Sequence, residues 1–312
     1  MTAAAASLPH GVTVLERGWL SSNNVFFEGR ESFALVDSGY CTHAQQTIAL
    51  VRRLLRGRAL DLLLNTHLHS DHCGGNAALQ SAFPAIQTRI PPGLAAHVRD
   101  WDPVALTYVP TGQQCPRFGI DGLLMPGTEI TLADRPWQIH AAPGHDPHSV
   151  ILFEPQSRTL ISADALWENG FGVVFPELEG QHAFDEVAAT LDLIEQLRPK
   201  IVIPGHGSAF TDEHDGAASA LARARSRLES FVQDPARHAR HAAKVLLKFK
   251  LLELQRLPYL EFEAWALGTP FLHEVIGRYY GEQDASTLVR TLAQELERSG
   301  AAAMTGDDIM NA

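Results

Sequence analysis

Residues 65–75 carry the most specific signal in the chain: Asn65-Thr66-His67-Leu68-His69-Ser70-Asp71-His72-Cys73-Gly74-Gly75. The largely apolar segment 61–64 before them is typical of a buried strand, and residues 76–80 after them are typical of the start of a helix. Three imidazoles and one carboxylate therefore lie close together on a strand-to-helix loop. A purely structural turn has no reason to concentrate metal-ligand side chains in this way. The pattern predicts a metal site, and a solvated polar turn is the alternative.

The spacing within this loop indicates two cations. His67 and His69 stand two positions apart in an extended loop and can converge on one cation, whereas Asp71 and His72 can turn to a second cation beside it. Cys73 follows directly and is interpreted as a small buried thiol, with a ligand or redox role as the alternative.

The H-x-H-x-D-H pattern of this loop resembles the signature of the metallo-β-lactamase superfamily of two-metal hydrolases. The signature is specific only when a further histidine, a bridging carboxylate and a final histidine follow it. The chain supplies all three in that order, in Pro143-Gly144-His145, Ser162-Ala163-Asp164 and Ile203-Pro204-Gly205-His206-Gly207. The resemblance ends with the last of these segments, and the rest of the chain has no comparably specific motif.

The resemblance implies a centre with two divalent cations and seven ligands. These are His67, His69 and His145 for the first cation, Asp71, His72 and His206 for the second, and Asp164 as the bridge. Zinc is the expected metal, with iron or manganese as alternatives. An earlier segment, Leu35-Val36-Asp37-Ser38-Gly39, resembles the D-[ST]-G motif of the family. It makes Asp37 a candidate for supporting the ligands from behind, with an ordinary Asx turn as the other interpretation.

The secondary structure read from the sequence fits the same family. Strands are predicted at residues 12–15, 24–27, 32–36, 61–64, 129–132, 137–140, 149–153, 159–162 and 200–203, and helices at 43–55, 91–100 and 182–197. Two strand-rich halves, each followed by helices, imply the α+β class and the superfamily's αββα sandwich, with the metals at the edge between two sheets. We expect residues 1–214 to form this domain and residues 215–312 to form a second region.

The C-terminal region is predicted to be an all-helical extension. Helices are expected around residues 217–231, 239–254, 261–267, 270–280 and 286–299, with Gly300 as a stop signal. Their apolar surface must pack on the sandwich, on itself or on a second subunit, so a homodimer is one expectation. The region is locally basic, through Arg223, Arg225, Arg227, Arg237, Arg240, Lys244, Lys248 and Lys250. Most of these side chains should form a solvated face, although some could receive an anionic substrate.

Residues 101–121 have no clear period and are too long for a simple connector, as in many lids and substrate loops. Trp101, Tyr108 and Phe118 are expected either to line an acyl pocket or to pack on their own domain. Trp167 and Phe171 lie in segments that could extend an apolar wall near Asp164.

Composition limits the function classes. A formal net charge of -11 argues against a large nucleic-acid surface. No segment has the apolar length needed to span a bilayer, and residues 1–7 lack the features of a secretory signal. The three cysteines form no C-x-x-C pair, which fits a reducing compartment. The sequence therefore predicts a cytoplasmic protein without membrane contact.

The predicted activity is hydrolysis of a thioester, ester or lactone by a metal-bridging hydroxide, with Asp71 as a candidate proton carrier. The substrate is expected to be a small molecule, with an anionic one as a candidate. The second-ranked alternative is a metal-dependent endoribonuclease or phosphodiesterase, and the third is a regulatory binding protein that retains the metal site. True β-lactamases of the superfamily do not resemble the chain at Asp164, so penicillin hydrolysis is disfavoured.

Overall fold

A computed structural model of the chain describes residues 8–211, 216–281 and 283–312. The features expected of residues 1–7 and the predicted domain boundary at 214/215 lie outside these ranges and stay predictions. Among the described helices, none is both long enough and apolar enough to cross a bilayer.

The first sheet contains six strands in sequence order. They are β1 (Val12–Leu15), β2 (Asn24–Glu28), β3 (Phe33–Val36), β4 (Leu62–Leu64), β5 (Gln87–Ile90) and β6 (Gly122–Leu123). The first three strands pair antiparallel, and the pairs from β3 to β6 are parallel. Strands β5 and β6 were not expected from the sequence, because both are short and mix polar residues or glycine with few apolar ones.

The second sheet also contains six strands, in the order β12-β11-β10-β9-β8-β7. They are β7 (Glu129–Leu132), β8 (Arg135–Ala141), β9 (Val150–Glu154), β10 (Thr159–Ala163), β11 (Ile201–Pro204) and β12 (Phe210–Thr211). Strands β10 and β11 pair parallel, and the other neighbours pair antiparallel. All five strands predicted for this half are present, each within two residues of the predicted bounds.

The two sheets pack face to face because their strands are apolar on both sides. Along β2, Val25 and Phe27 face the second sheet, whereas Phe26 between them faces outward. This alternation follows from the period of two in a strand. Phe27 meets the fully buried Trp137 edge to face, with 5.2 Å between ring centroids. The core between the sheets thus fixes their separation.

Helices cover the outer faces of both sheets. The first sheet is covered by α1 (Ala44–Leu55) and α3 (Asn76–Ala82), and the second by α6 (Phe184–Leu197) and α7 (Gly216–Gln233). Three shorter helices lie in connections: α2 (Ser70–Cys73), α4 (Ala95–Asp100) and α5 (Phe175–Leu178). The αββα sandwich predicted from the resemblance is confirmed. Helix α4 begins four residues later than predicted, because Pro92 lies in a turn before it, in which the carbonyl of Pro92 accepts the amide of Ala95.

The C-terminal region is mainly helical but not all-helical. Its helices are α8 (Pro235–Leu254), α9 (Tyr259–Gly268), α10 (Pro270–Tyr280) and α11 (Ala285–Arg298). A three-stranded sheet in the order β13-β15-β14 joins them, formed by β13 (Arg256–Pro258), β14 (Ala302–Thr305) and β15 (Asp308–Asn311). These strands are too short to show a period in the sequence. Gly300, with φ at 74°, follows the end of α11 as expected.

The C-terminal helices pack both on the sandwich and on one another. Their core includes Val173 and Leu178, which belong to the sandwich half of the chain. On α7, Leu228 and Phe231 bury their side chains against α6. The region therefore buries most of its large apolar side chains within the same chain, although some, such as Leu260, stay exposed.

Glu154, at the end of β9, is buried and accepts several hydrogen bonds. Its carboxylate accepts hydrogen bonds from the backbone amide of Gln156 at 3.0 Å, from the backbone amide of Ser157 at 2.7 Å and from the Ser157 hydroxyl. Burial raises the pKa of Glu154, but these hydrogen bonds, with Arg135 at 3.7 Å, outweigh burial and lower it overall.

We expect Glu154→Gln to lower the free energy of unfolding by about 1–2 kcal/mol at neutral pH. Because the folded-state pKa lies below the unfolded-state pKa, the stabilisation is present above the unfolded-state value and is lost as pH falls through the folded-state value. The difference between wild type and variant should therefore shrink towards about pH 3. Urea denaturation at several pH values measures it, and the exposed Glu129→Gln serves as control. A difference independent of pH would contradict the assignment.

Candidate metal centre

The seven predicted ligands lie at one edge of the sandwich, where strands of both sheets end. Strands β3 and β4 run parallel, so Asp37 and residues 65–75 leave the first sheet at the same edge. Strands β10 and β11 run parallel in the second sheet and deliver Asp164 and His206 there. His145 lies in the connection between β8 and β9. The topology thus brings together side chains that are far apart in sequence.

Three histidines form one group of ligand atoms, His67, His69 and His145. Nε2 of His67 lies 3.1 Å from Nδ1 of His69. The rings of His67 and His145 meet edge to face, with 5.1 Å between their centroids. One ligand atom from each residue lies within 4.8 Å of the others, which is a spacing that one cation can span.

A second group contains Asp71, His72 and His206. Oδ2 of Asp71 lies 3.0 Å from Nε2 of His206 and 3.9 Å from Nε2 of His72. Helix α2 provides both Asp71 and His72, so one turn of backbone fixes their relative position.

Asp164 lies between the two groups. Its Oδ1 atom is 3.5 Å from Nε2 of His72, and its Oδ2 atom is 3.4 Å from Nε2 of His145. The indole N–H of Trp167 donates to Oδ1 at 3.2 Å and fixes the plane of the carboxylate. Oδ2 also lies 3.9 Å from Nε2 of His206, and Asp164 forms a further group of ligand atoms with His67 and His72. The carboxylate therefore lies near members of both groups, as a bridging carboxylate requires.

The buried ring nitrogens indicate that these residues fit a metal. Nδ1 of His72 donates to Asp37 at 2.8 Å, and Nδ1 of His145 donates to the carbonyl of Val173 at 2.5 Å. Since both partners can only accept, each Nε2 presents a lone pair. Both Nε2 atoms are buried without a hydrogen-bond partner in the described part of the chain. An unpaired buried polar atom costs roughly 1–3 kcal/mol, and a divalent cation would supply the missing partner.

The pKa values of His145 and His72 are shifted in opposite directions. Burial and the nearby His69 lower the pKa of His145 to about 4. Burial also opposes the charged form of His72, but the carboxylates of Asp164 and Asp37 outweigh burial and raise its pKa well above the ordinary value. The carboxylates thus create a strong demand for positive charge at the centre of the site.

Comparison with known families agrees with this geometry. The model of the metallo-β-lactamase superfamily matches residues 17–206, which include all seven predicted ligands and Asp37. The chain belongs to the metallo-β-lactamase superfamily. Members of this superfamily use divalent metals, typically zinc, and the His/Asp groups described above are suited to hold such ions.

Two curated relatives illustrate the range of similar proteins. The chain is 26% identical over 188 residues to a Bacillus subtilis protein named probable metallo-hydrolase YybB, covering 58% of this chain and 79% of the relative. It is 25% identical over 220 residues to hydroxyacylglutathione hydrolase of Brucella anthropi, covering 66% of this chain and 70% of that enzyme.

Solved structures share the fold over nearly the whole chain. A metallo-β-lactamase family protein of Thermus thermophilus, TTHA1429, aligns with a TM-score of 0.55 at 18% identity and covers 98% of this chain and 100% of its own. A β-lactamase domain protein of Burkholderia ambifaria aligns with a TM-score of 0.58 at 17% identity, covering 91% and 95%. The C-terminal region of this superfamily member is therefore part of a shared architecture.

Asp37 supports the loop of residues 65–75 through hydrogen bonds to Thr66 and His72. Its Oδ2 atom lies 2.8 Å from Nδ1 of His72 and accepts the Thr66 hydroxyl at 2.8 Å, while its Oδ1 atom accepts the Thr66 amide at 2.9 Å. The side chain is 4% exposed. The structure thus places this residue where the resemblance predicted support for the ligands.

Two glycines allow the close approach of backbone to the centre. A Cβ atom on Gly205 would lie 2.1 Å from Oδ1 of Asp164, and one on Gly172 would lie 2.4 Å from Nδ1 of His145. Any other residue would displace these side chains. Gly205 belongs to the motif of the last histidine, whereas no motif in the sequence contains Gly172.

Three further residues at the site were missed by sequence reasoning. Asp146 lies 3.9 Å from Nε2 of His69, and its position directly after His145 could have indicated a supporting role. Trp19 stacks on His206 with 5.4 Å between ring centroids. Asn23 donates to the carbonyls of Pro204 and Gly207 at 3.0 and 2.7 Å. Nothing in the sequence connects Trp19 or Asn23 with a ligand far along the chain.

A cavity of about 680 Å³ opens above the ligand groups. Part of its wall is residues 104–113, which belong to the irregular segment 101–121. This segment is held at both sides, because Gln113 accepts the Ser70 hydroxyl at 2.5 Å and the carbonyl of Pro110 accepts the Phe271 amide at 3.0 Å. The segment thus lies between the loop of residues 65–75 and the C-terminal helices and forms one side of the cavity.

The predicted aromatic wall is only partly correct. Tyr108 and Phe118 are buried with Trp101 in a cluster of their own, so the alternative of packing on their own domain holds for all three. Phe171 is buried beneath α7 and does not line the cavity either. Trp167 does line it. The remaining apolar wall comes instead from Val104, Val245, Leu246, Phe249 and Phe271.

We expect Asp37→Asn to lower the affinity for a divalent cation roughly 10–100-fold, because the amide cannot hold the His72 ring as a carboxylate does. Competition with a chromophoric zinc chelator measures the affinity. Asp134→Asn, at a half-exposed surface carboxylate paired with Arg30, is the control and should bind zinc as wild type does. Equal affinity in the Asp37 variant would remove this residue from the support of the centre.

Proposed function

We propose that this superfamily member is a metal-dependent hydrolase that acts on a thioester, ester or lactone of a small acyl compound. The observation that carries the proposal is the position of Asp164 between two ligand groups at the base of a largely apolar cavity. A binuclear centre of this type suits attack by water on an activated carbonyl.

The proposed ligands are those predicted from the sequence: His67, His69 and His145 for one cation, Asp71, His72 and His206 for the other, and Asp164 for both. Zinc is the proposed metal because the set is rich in histidine, with iron and manganese as alternatives. Two such cations, when bound, would make a water nucleophile available near neutral pH and polarise the scissile carbonyl.

The side chains around the centre have roles of their own in this proposal. Asp71 lines the cavity and is 14% exposed, so its carboxylate can accept a proton from the attacking water and pass it to the leaving group. Trp167 keeps Asp164 in plane through its indole N–H. Val245, Leu246 and Phe249 provide an apolar surface for the acyl chain and exclude water.

Two features favour a thioester or similar ester over other bonds. The relatives named hydroxyacylglutathione hydrolase act, by that name, on an acyl group carried by glutathione. The net charge of -11 opposes a long polyanion, so the endoribonuclease or phosphodiesterase alternative ranks second and a regulatory binding protein third. Hydrolysis of β-lactams is expected to be poor. A cytoplasmic location and a homodimer stay predictions.

The binuclear proposal predicts two transition-metal ions per chain in fully loaded protein. Asp164→Ala should reduce the content towards one, because both groups share this carboxylate. Elemental analysis after gel filtration measures it, and Asp134→Asn again serves as control. A content of one in wild type that Asp164→Ala leaves unchanged would contradict a bridged pair.

Asp71→Asn is expected to reduce kcat for a thioester by roughly 100-fold or more while KM changes little. On metal-loaded protein, a thiol-trapping assay measures turnover of acyl-thioesters. Proton release for lactones, ring-opening absorbance for β-lactams, p-nitrophenol release for bis(p-nitrophenyl) phosphate and gel analysis for single-stranded RNA are followed in parallel. Cleavage of RNA without turnover of any acyl substrate would promote the second-ranked function. In cells, rescue of a deletion phenotype by His69→Ala would favour the regulatory role.

A further inference from the structure

The eight basic residues of the C-terminal region do not form one solvated face. The fold separates them into two sets. Three of the eight bind elsewhere: Arg225 pairs with Asp192 and Glu195 of α6, Lys248 donates to the carbonyl of Ala301, and Lys250 pairs with Glu253. The other five line one cavity of about 610 Å³, and they are Arg223, Arg227, Arg237, Arg240 and Lys244. Of these, Arg223 also donates to the carbonyl of Glu168 at 2.8 Å.

Helical spacing produces this collection of cations. Arg223 and Arg227 stand one turn apart on α7, and Arg237, Arg240 and Lys244 follow one face of α8. The cations of α8 extend over roughly 10 Å along its axis. The lining residues in the described part of the chain include no carboxylate, and the hydroxyls of Ser226 and Ser230 add further polar groups.

The positive charge in this second cavity is only partly compensated. Glu295 is shared by Arg240 and Lys244, so one carboxylate serves two cations. Arg227 is half-buried, and neither its side chain nor that of Arg237 makes a hydrogen bond or ion pair with another described residue. Burial lowers the pKa of Arg227, and the charge of Arg237 lowers it further. An acidic protein thus maintains a local excess of cations at a cost that a bound anion would offset.

The second cavity adjoins the cavity above the metal centre. Asn169, Arg227 and His241 line both. A molecule whose reactive bond lies beside Asp71 and Asp164 can therefore extend past Arg227 into the cationic cavity.

We propose that the second cavity binds a leaving group that carries two or more phosphate groups, so that the substrate is an acyl-thioester of a phosphorylated thiol. This inference rests on the proposed function and names its substrate class. Guanidinium groups bind phosphate oxygens in pairs. Arg227 and Arg237, beside the two cations that share Glu295, provide more positive charge than the two carboxylates of a glutathione-type thiol require. The cavity volume of about 610 Å³ suits a nucleotide-sized group rather than a polymer.

The reaction is a balanced hydrolysis. The oxygen of water forms a bond to the acyl carbon, the carbon–sulfur bond breaks, and a proton from water passes to the thiolate through Asp71. The products are a carboxylic acid and the free phosphorylated thiol. No oxidant or reductant takes part, and the phosphate groups remain intact throughout.

A graded series of thioesters tests the proposal on full-length, metal-loaded protein. The same short acyl group is offered on coenzyme A, on dephospho-coenzyme A and on pantetheine. The three carriers differ in the number of phosphates but not in the reacting bond, and pantetheine also lacks the adenosine, so the salt dependence identifies the part of the difference that is due to charge. We expect kcat/KM to fall roughly tenfold or more at each loss of charge. The fall should lie mainly in KM and should shrink as salt rises.

Variants in the cavity identify the groups responsible. Arg227→Gln/Arg237→Gln should reduce the ratio of kcat/KM for the coenzyme A ester over the pantetheine ester roughly tenfold or more. Arg237→Gln alone, at an exposed position that poses little risk to folding, should reduce it in part. Arg225→Gln is the matched control, because this cation lies on the same helix but pairs with α6; it should retain the wild-type ratio.

Calorimetric titration with adenosine 3′,5′-bisphosphate gives a readout independent of turnover. Binding to wild type that is weakened in Arg237→Gln but retained in Arg225→Gln supports the inference. Equal kcat/KM on the three thioesters would overturn the inference and leave the proposed function standing. Absence of turnover on all three, while another ester or lactone is hydrolysed, would also overturn the inference. Absence of turnover on every acyl substrate contradicts the proposed function, and the titration then decides whether the cavity binds phosphate at all. Displacement of the bisphosphate by much tighter binding of single-stranded RNA, with a steep salt dependence, would assign the cavity to nucleic acid and overturn the proposal.

Discussion

The contact of one carboxylate with two ligand groups is the constraint on which the site depends. Asp164 can lie within 3.5 Å of both His72 and His145 only if the two sheets keep a fixed separation and offset. The core between the sheets provides this, through contacts such as that between Phe27 and Trp137. The glycine that precedes His206 removes the side chain that would otherwise push Asp164 aside. Packing far from the centre therefore determines its geometry.

The seven predicted ligands could be placed from the sequence because each lies in a short motif at the end of a strand, and the order of these motifs implies the topology. Trp19 and Asn23 could not be found in this way, since their contacts with the loop of His206 depend on the meeting of distant segments. The segment 101–121 has no period, so its fixed position between two packed elements became apparent only in three dimensions. Strands β5, β6 and β13–β15 are short and contain many polar or small residues, so no apolar pattern identifies them.

The distribution of charge shows a further limit of sequence reasoning. Arg225 and Arg227 look equivalent in a list of basic residues, yet they stand two positions apart on a helix and point in directions that differ by about 200°. One therefore pairs with the carboxylates of α6, and the other faces the junction of two cavities. The net charge of -11 describes neither environment. The local charge at each surface of this protein depends on which side of the helix each basic residue occupies.

The order of the ligands along the chain has a consequence for biosynthesis. The three-histidine group is complete once residue 145 has left the ribosome, whereas the group of Asp71 and His72 lacks its last member until His206 emerges. Asn23, near the start of the chain, donates to the carbonyls of Pro204 and Gly207 on either side of that histidine. These hydrogen bonds also cannot form before the segment around His206 has been synthesised. The two ligand groups are therefore synthesised one after the other during translation. The second group is complete only when the segment around His206 can contact Asn23.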